Sequence, residues 1–358
     1  MTPGALPAWA DRALLPLLNL ALALLLSGGV VLLVGADPVA AVRAMVVGAV
    51  GSPEALGYTL FYATDLVFTG LAVAVAFHSG LFNIGAEGQA TLGGLGVALV
   101  CMRFGAALPA TLLVPLAIAA SALFGAAWAY IPAWVQARRG GHVVISTIMF
   151  NAIAAALMVW LLAGPLIAPG QMSPETPAFP PGAALPSFDA LLGARTPFNA
   201  ASLWALACLT LVWVALFHTR WGYALRVMGA SAEAARYAGL DAAQLAIQAM
   251  LLSGALAGGV ALNEVMGAQH KLLLGFAGGA GYTGIAVALM GRNHPLGILL
   301  AALLFGALIQ GGAEMAFDLP NVSADLVVVV QGLVILFTGA LGGMLRPVLG
   351  RVLMRGAR

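Results

Sequence analysis

Charge is scarce in this sequence. Only 8% of its 358 residues are Asp, Glu, Lys or Arg, against about 25% in an ordinary soluble domain. With 62% of residues hydrophobic, the chain carries more apolar surface than a soluble fold of its length could cover. Cysteine is scarcer still. Cys101 and Cys208 both fall in apolar runs, which excludes a disulfide framework and a thiolate metal site. The formal net charge is +2, and no basic tract or aromatic–basic interleaving is present, so nothing suggests a nucleic-acid partner. The sequence has no Gly-x4-Gly-Lys-Ser/Thr, no His-Glu-x-x-His and no Gly-x-Ser-x-Gly. Gly279–Gly284 does fit Gly-x-Gly-x-x-Gly. No strand pattern precedes it and no acidic residue follows at about 20 residues, so it reads as a broken membrane helix and not as a dinucleotide site.

What the chain does have is apolar runs and 45 glycines, a composition suited to helices whose backbones approach closely in a bilayer. Ten spans are expected: Leu14–Val34, Tyr58–Phe77, Gly88–Met102, Leu112–Val135, Val143–Ala163, Ala201–Phe217, Ala243–Leu262, Gly278–Met290, Leu296–Gly311 and Leu326–Leu345. The first exceeds the roughly 7–15 apolar residues of a cleavable leader. An uncleaved span is therefore expected after Arg12. The third and eighth spans are the shortest, and a Gly-rich break precedes each. That is the usual sign of an internal repeat of opposite orientation, with spans two to five corresponding to seven to ten. The expected fold is thus an all-α polytopic helical bundle with broken or re-entrant segments, forming one membrane domain over residues 1–358.

Basic residues orient it. With the N-terminus inside, Arg12, Arg138, Arg139, Arg220, Arg226, Arg236, Arg292, Arg346, Arg351, Arg355 and Arg358 are inside, and Arg43, Arg103, Arg195 and Lys271 outside, a split of 11 to 4. That is the bias of the positive-inside rule, and it places both termini in the cytoplasm. The longest outside loop, Gly164–Asn199, is rich in Pro and suits an extended cover. The longest inside loop is His218–Gln244. Trp128, Trp134, Trp204, Trp213 and Trp221 lie near span ends as interface anchors.

A polar break, Gly80–Gln89, lies between the apolar runs Leu66–Phe77 and Ala90–Met102. A carboxylate and amides there are tolerated only within protein or beside a water-filled cavity, so the break marks a route for a polar solute. Asn83, Glu87 and Gln89 are its candidate lining, with Ser146 and Asn151 in the fifth span and Asp65 in the second. Glu87 either touches solute or caps the broken helix, where a helix N-terminus favours a carboxylate. Asn151 either bonds a ribose or base edge or joins helices. Asp65 either pairs with a cation such as Arg43 or faces a cavity. Glu264, His270 and Lys271 lie near the outer end of the seventh span and read as interfacial.

In the inside loop, Ser231 is a candidate N-cap, Glu233, Ala234, Ala235 and Arg236 form a short helix, and Gly239 stops it. A two-turn helix is unstable alone, so it is either a connector or the part that docks on a partner.

Glu233-Ala234-Ala235 followed by Gly239 resembles the coupling loop of ABC importer permeases. Asn83–Gln89, within FNIGAEGQ, resembles the signature of the permeases for ribose, branched-chain amino acids and nucleosides. Gly284–Gly297 matches a late segment of the same subfamily. Gly141–Asn151 resembles the HEVISTIMLN segment of its nucleoside branch, with Val143 where Glu is usual and Phe150 where Leu is frequent. Asp65 stands where Pro or an apolar residue is usual. The resemblance covers residues 58–345 in order. It implies a pore subunit in the bacterial cytoplasmic (inner) membrane that holds no cofactor itself. ATP and Mg would be bound by a separate ABC ATPase docked on Glu233, Ala234, Ala235, Arg236 and Gly239. A second permease, identical or homologous, would complete the pore, and an extracytoplasmic solute-binding protein or lipoprotein would deliver the solute. A nucleoside is expected first, a simple sugar next and a branched-chain amino acid third. From the residues alone, a secondary transporter driven by an ion gradient remains the alternative.

Overall fold

The computed structural model describes residues 14–319, 321–337 and 349. The helices in chain order are α1 (Leu15–Leu33), α2 (Pro38–Val50), α3 (Pro53–His78), α4 (Ala86–Phe104), α5 (Ala110–Arg139), α6 (Val143–Ala163), α7 (Asp189–Leu192), α8 (Ala201–His218), α9 (Arg220–Ala230), α10 (Ala232–Tyr237), α11 (Ala242–Gly258), α12 (Ala280–Met290), α13 (Pro295–Asp318) and α14 (Ala324–Ile335). A π-helical stretch, Leu262–Gln269, follows α11. Among the described residues there is no named strand, only the bridges Glu175–Leu273 and Ser187–Asn199. The architecture is an all-α polytopic bundle.

Among the described residues, six helices are long and apolar enough to cross a membrane: α3, α5, α6, α8, α11 with its π-helical extension, and α13. The number is seven if the bent pair α1–α2 counts as one span. The expected ten is not reached by this measure, for three physical reasons. Gly and polar residues dilute α4; α12 has only 11 residues; α14 runs toward residues outside the described set. Arg12, Arg346, Arg351, Arg355, Arg358 and the end of the tenth span also lie outside the described residues. α2 lies between the first two expected spans, where Asp37 caps it through Val39 N–H and Pro38 starts it.

The chain divides into two compact units, Met1–Leu56 with Ala307–Arg358, and Gly57–Gly306. In the first, Val31, Ala41, Met315, Val322 and Val327 form an apolar cluster. In the second, α4, α5 and α11 pack at the centre. Gly93 of α4 meets Gly258 of α11, and Gly125 of α5 meets Gly254, so backbone touches backbone as membrane helices allow. The outward faces of α5, α6 and α8 are apolar and bare, as at Leu123, Trp160 and Leu203.

The Pro-rich segment is an extended cover, with a 3-10 turn at Pro181–Ala183 and the short α7. It is stitched to the chain after α11 by backbone bonds from Thr176 to Leu272 (3.1 Å), Phe179 to His270 (2.8 Å) and Leu185 to Met266 (3.2 Å). Lys271 and Glu175 add an ion pair at 2.8 Å.

Candidate functional site at a junction of broken helices

α3 ends at His78, and the chain unwinds from Ser79 to Gly85 before α4 begins. Far along the sequence, the chain turns through His270–Gly279 and starts α12. The two helix starts meet. A Cβ on Gly281 would overlap the backbone of Glu87, so only glycine permits this approach. Both starts lie beside the C-terminal half of α3. Gly284 packs on Thr69, and Asn83 reaches the carbonyl of Ala72 through Ser253.

Asn83, Glu87 and Asn151 pair the backbone groups of the two helix starts. The N–H groups of Gly279 and Gly281 donate to the two carboxylate oxygens of Glu87, at 3.0 and 2.8 Å. Glu87 thus satisfies the first turn of α12, where a helix leaves N–H groups unpaired and attracts negative charge. Asn83 accepts from Gly85 N–H (2.8 Å) and donates to Gln89 (2.9 Å) and to Ser253 (2.8 Å). Ser253 in turn donates to the Ala72 carbonyl at 2.6 Å. Asn151, from α6, accepts from Gly88 N–H (2.9 Å) and donates to the Ile84 carbonyl (2.9 Å) and to the Tyr282 hydroxyl (3.2 Å).

The structure therefore brings Asn83, Glu87, Gln89 and Asn151 together. Asn83, Gln89 and Asn151 are buried, while Glu87 is half-exposed. Ser146 is half-exposed on the first turns of α6 and donates to the His142 carbonyl at 3.2 Å. Asp65 stands elsewhere. It is buried on α3 and accepts from Asn263 at 3.0 Å. Asn263 accepts from Asn199 at 3.0 Å, which ties this second cluster to the cover. The sequence reading missed Ser253, Asn263, Gly281 and Tyr282. Ser253 was visible as a lone polar residue in an apolar run, and Asn263 as the neighbour of Glu264; the last two acquire their place only from the meeting of α4 and α12.

The loop Glu233–Gly239 projects from the bundle. Ser231 caps α10 by accepting from Ala234 N–H (3.2 Å). Gly239, at φ +74°, ends it in a Schellman turn, with Gly239 N–H on Arg236 (3.0 Å) and Leu240 N–H on Ala235 (2.9 Å). Ala235 is buried against Ala224, Met228, Leu245 and Ala246, while Glu233, Ala234 and Arg236 are exposed. A crevice of about 570 Å³ opens beside α10, with Ser79, Gln136, Arg236 and Asp241 on its walls. At the end of α9, Gly229 packs on the carbonyl of His78 and the backbone of Gly80.

Residues 55–339 match the family described as the permease component of the branched-chain amino acid transport system. The chain belongs to this permease family. The permease is 36% identical to the glucose ABC transporter permease TsgB13 of Haloferax volcanii, over 92% of this chain and 88% of that one. It is 32% identical to the guanosine ABC transporter permease NupP of Bacillus subtilis, over 97% and 98% respectively. It is 30% identical to the nucleoside ABC transporter permease NupB of Lactococcus lactis, over 91% and 90%. These relatives place the permease with the nucleoside and simple-sugar branch. An ABC permease is a transport component, and family membership displaces the ion-gradient alternative. The permease is a multi-pass membrane protein.

Proposed function

We propose that the permease forms half of the translocation pathway of an ATP-driven importer, and that its solute is a nucleoside. The observation that carries the substrate is the end-to-end similarity to a guanosine permease, over 97% of this chain and 98% of the relative. The whole chain acts as one permease domain in the bacterial cytoplasmic membrane, with both termini inside. A second permease completes the pore, and an extracytoplasmic binding protein delivers the solute. A separate ABC ATPase docks on Glu233, Ala234, Ala235, Arg236 and Gly239, whose exposed face and single buried anchor suit a docking knob. ATP and Mg belong to that partner.

The solute passes the junction of α4 and α12. Glu87, Gln89, Asn83 and Asn151 hold the two helix starts in register there, and Ser146 faces the same route. Asp65 holds the π-helical stretch under the cover. ATP-driven movement of the coupling loop alternates the opening of the route between the two sides, and the permease makes and breaks no covalent bond.

A simple sugar is the second reading, favoured by the 36% identity to a glucose permease. Uptake of labelled guanosine, uridine and glucose by cells carrying the whole importer decides between them. Deleting the permease is expected to abolish nucleoside uptake, with excess nucleoside but not excess glucose competing. Competition by glucose alone would replace the first reading by the second.

A further inference from the structure

Asn83 is saturated: its two donors and its carbonyl oxygen are all engaged within the protein. Both donors of Asn151 are likewise taken. At the junction the exposed group is instead Tyr282, on the first turn of α12, which is 49% exposed. Its hydroxyl accepts from Asn151 at 3.2 Å, and its own O–H meets no acceptor among the described residues. A tyrosine usually gives its hydroxyl a partner where water is absent. An open phenol beside Asn151, near the middle of α6, is costly against hydrocarbon and suited to a water-filled path. The ring is held from behind. Asn151 fixes the hydroxyl, and Glu87 fixes the backbone just before the ring through Gly279 and Gly281.

Resting on the importer reading above, the geometry points to Tyr282 as the solute-contacting residue that sets specificity. Its ring is a stacking face for the planar heteroaromatic base of a nucleoside, with the hydroxyl held at the rim by Asn151. Every nucleobase has a π-face, so such a platform accepts purines and pyrimidines alike. Asn83 and Asn151 then act behind the platform as positioning residues.

The test measures uptake in cells carrying the complete importer, normalised to the assembled complex in the membrane. Tyr282→Leu removes the face and is expected to lower kcat/KM for guanosine and uridine by about tenfold, equivalent to about 1.4 kcal/mol. Tyr282→Phe keeps the face and is expected to stay within about threefold of the wild type. Wild-type kinetics in Tyr282→Leu overturn the inference. Equal loss in both variants also overturns it, because the bond to Asn151 would then be what matters. A wild-type importer that takes up no nucleoside fails the substrate reading itself, a result separate from both. If Tyr282→Leu does not assemble, Tyr282→Cys decides, since Cys101 and Cys208 are buried and leave little background. A charged methanethiosulfonate reagent is expected to modify that cysteine, with excess nucleoside slowing the reaction. No modification, or modification that nucleoside leaves unchanged, overturns the proposal.

Discussion

Glu87 shows how much a single carboxylate does at the junction. Its two oxygens each accept one backbone N–H of the α12 start. An amide in its place has one carbonyl oxygen, and its NH2 group faces a donor. Glu87→Gln therefore loses one charge-assisted bond, at a cost of about 1.5–3 kcal/mol. The expected result is a lower thermal unfolding midpoint of the purified complex and several-fold slower uptake; wild-type values for both would show that the clamp is not needed. Asn83→Leu strands Gly85 N–H, Gln89 and Ser253 in a buried place, each at about 1–3 kcal/mol. Less assembled complex is expected in the membrane, while the apparent KM of what remains is unchanged, because Asn83 does not reach the solute. A raised KM at normal complex levels would return Asn83 to the lining. The sequence showed that these residues were costly in lipid, but not which of them faced outward. That depends on Ser253 and Tyr282, which enter only through the fold.

Among the elements, α10 was the most legible. Its cap at Ser231 and its stop at Gly239 follow from local hydrogen bonding, which a sequence carries directly. Gly239→Val places a β-branched residue at φ +74°, costing roughly 1–2 kcal/mol in the left-handed region. The expected outcome is a complex that inserts normally but loses solute-stimulated ATP hydrolysis, read by ATPase assay of the reconstituted complex. Ala235→Glu should act alike by forcing a carboxylate among Ala224, Met228 and Leu245, which releases α10 from its seat. If both variants hydrolyse ATP like the wild type, the loop is an ordinary connector. Two elements were not legible. α2 has a readable start at Asp37-Pro38, but its 13 residues cannot span and include Arg43. The π-helical stretch has no local signature. Its wider turn depends on long-range bonds from Asn263 to Phe61 and Asp65 and on Gly267 lying against the Asn199 side chain.

For the molecule as a whole, the basic-residue split makes a claim about sides. Two single cysteines test it: Met172→Cys and Tyr237→Cys, at positions 101% and 91% exposed, which the reagent can reach from their own side. In intact cells an impermeant thiol reagent is expected to label position 172 and miss position 237, and to label both after lysis. Labelling of position 237 from outside would overturn the topology and the coupling assignment together. The broad architecture was legible because long apolar runs and charge bias are properties of the chain alone. The meeting of Glu87 with Gly281 was not. Each Gly-rich break is visible by itself, but nothing local says that two segments so far apart in sequence share one contact.

The seat of Gly229 on His78 and Gly80 has a consequence in terms of compliance. A contact between side chains can absorb a displacement by changing rotamer. Here backbone rests on backbone, so a shift of α9 passes undamped to the end of α3. Beyond that point lies Ser79–Gly85, which is not helical. The helix delivers the stroke and the non-helical stretch receives it, within four residues of the start of the Asn83 network. Widening that seat with a side chain, as in Gly229→Ala, would shift the resting position of this joint without touching either the docking knob or the solute.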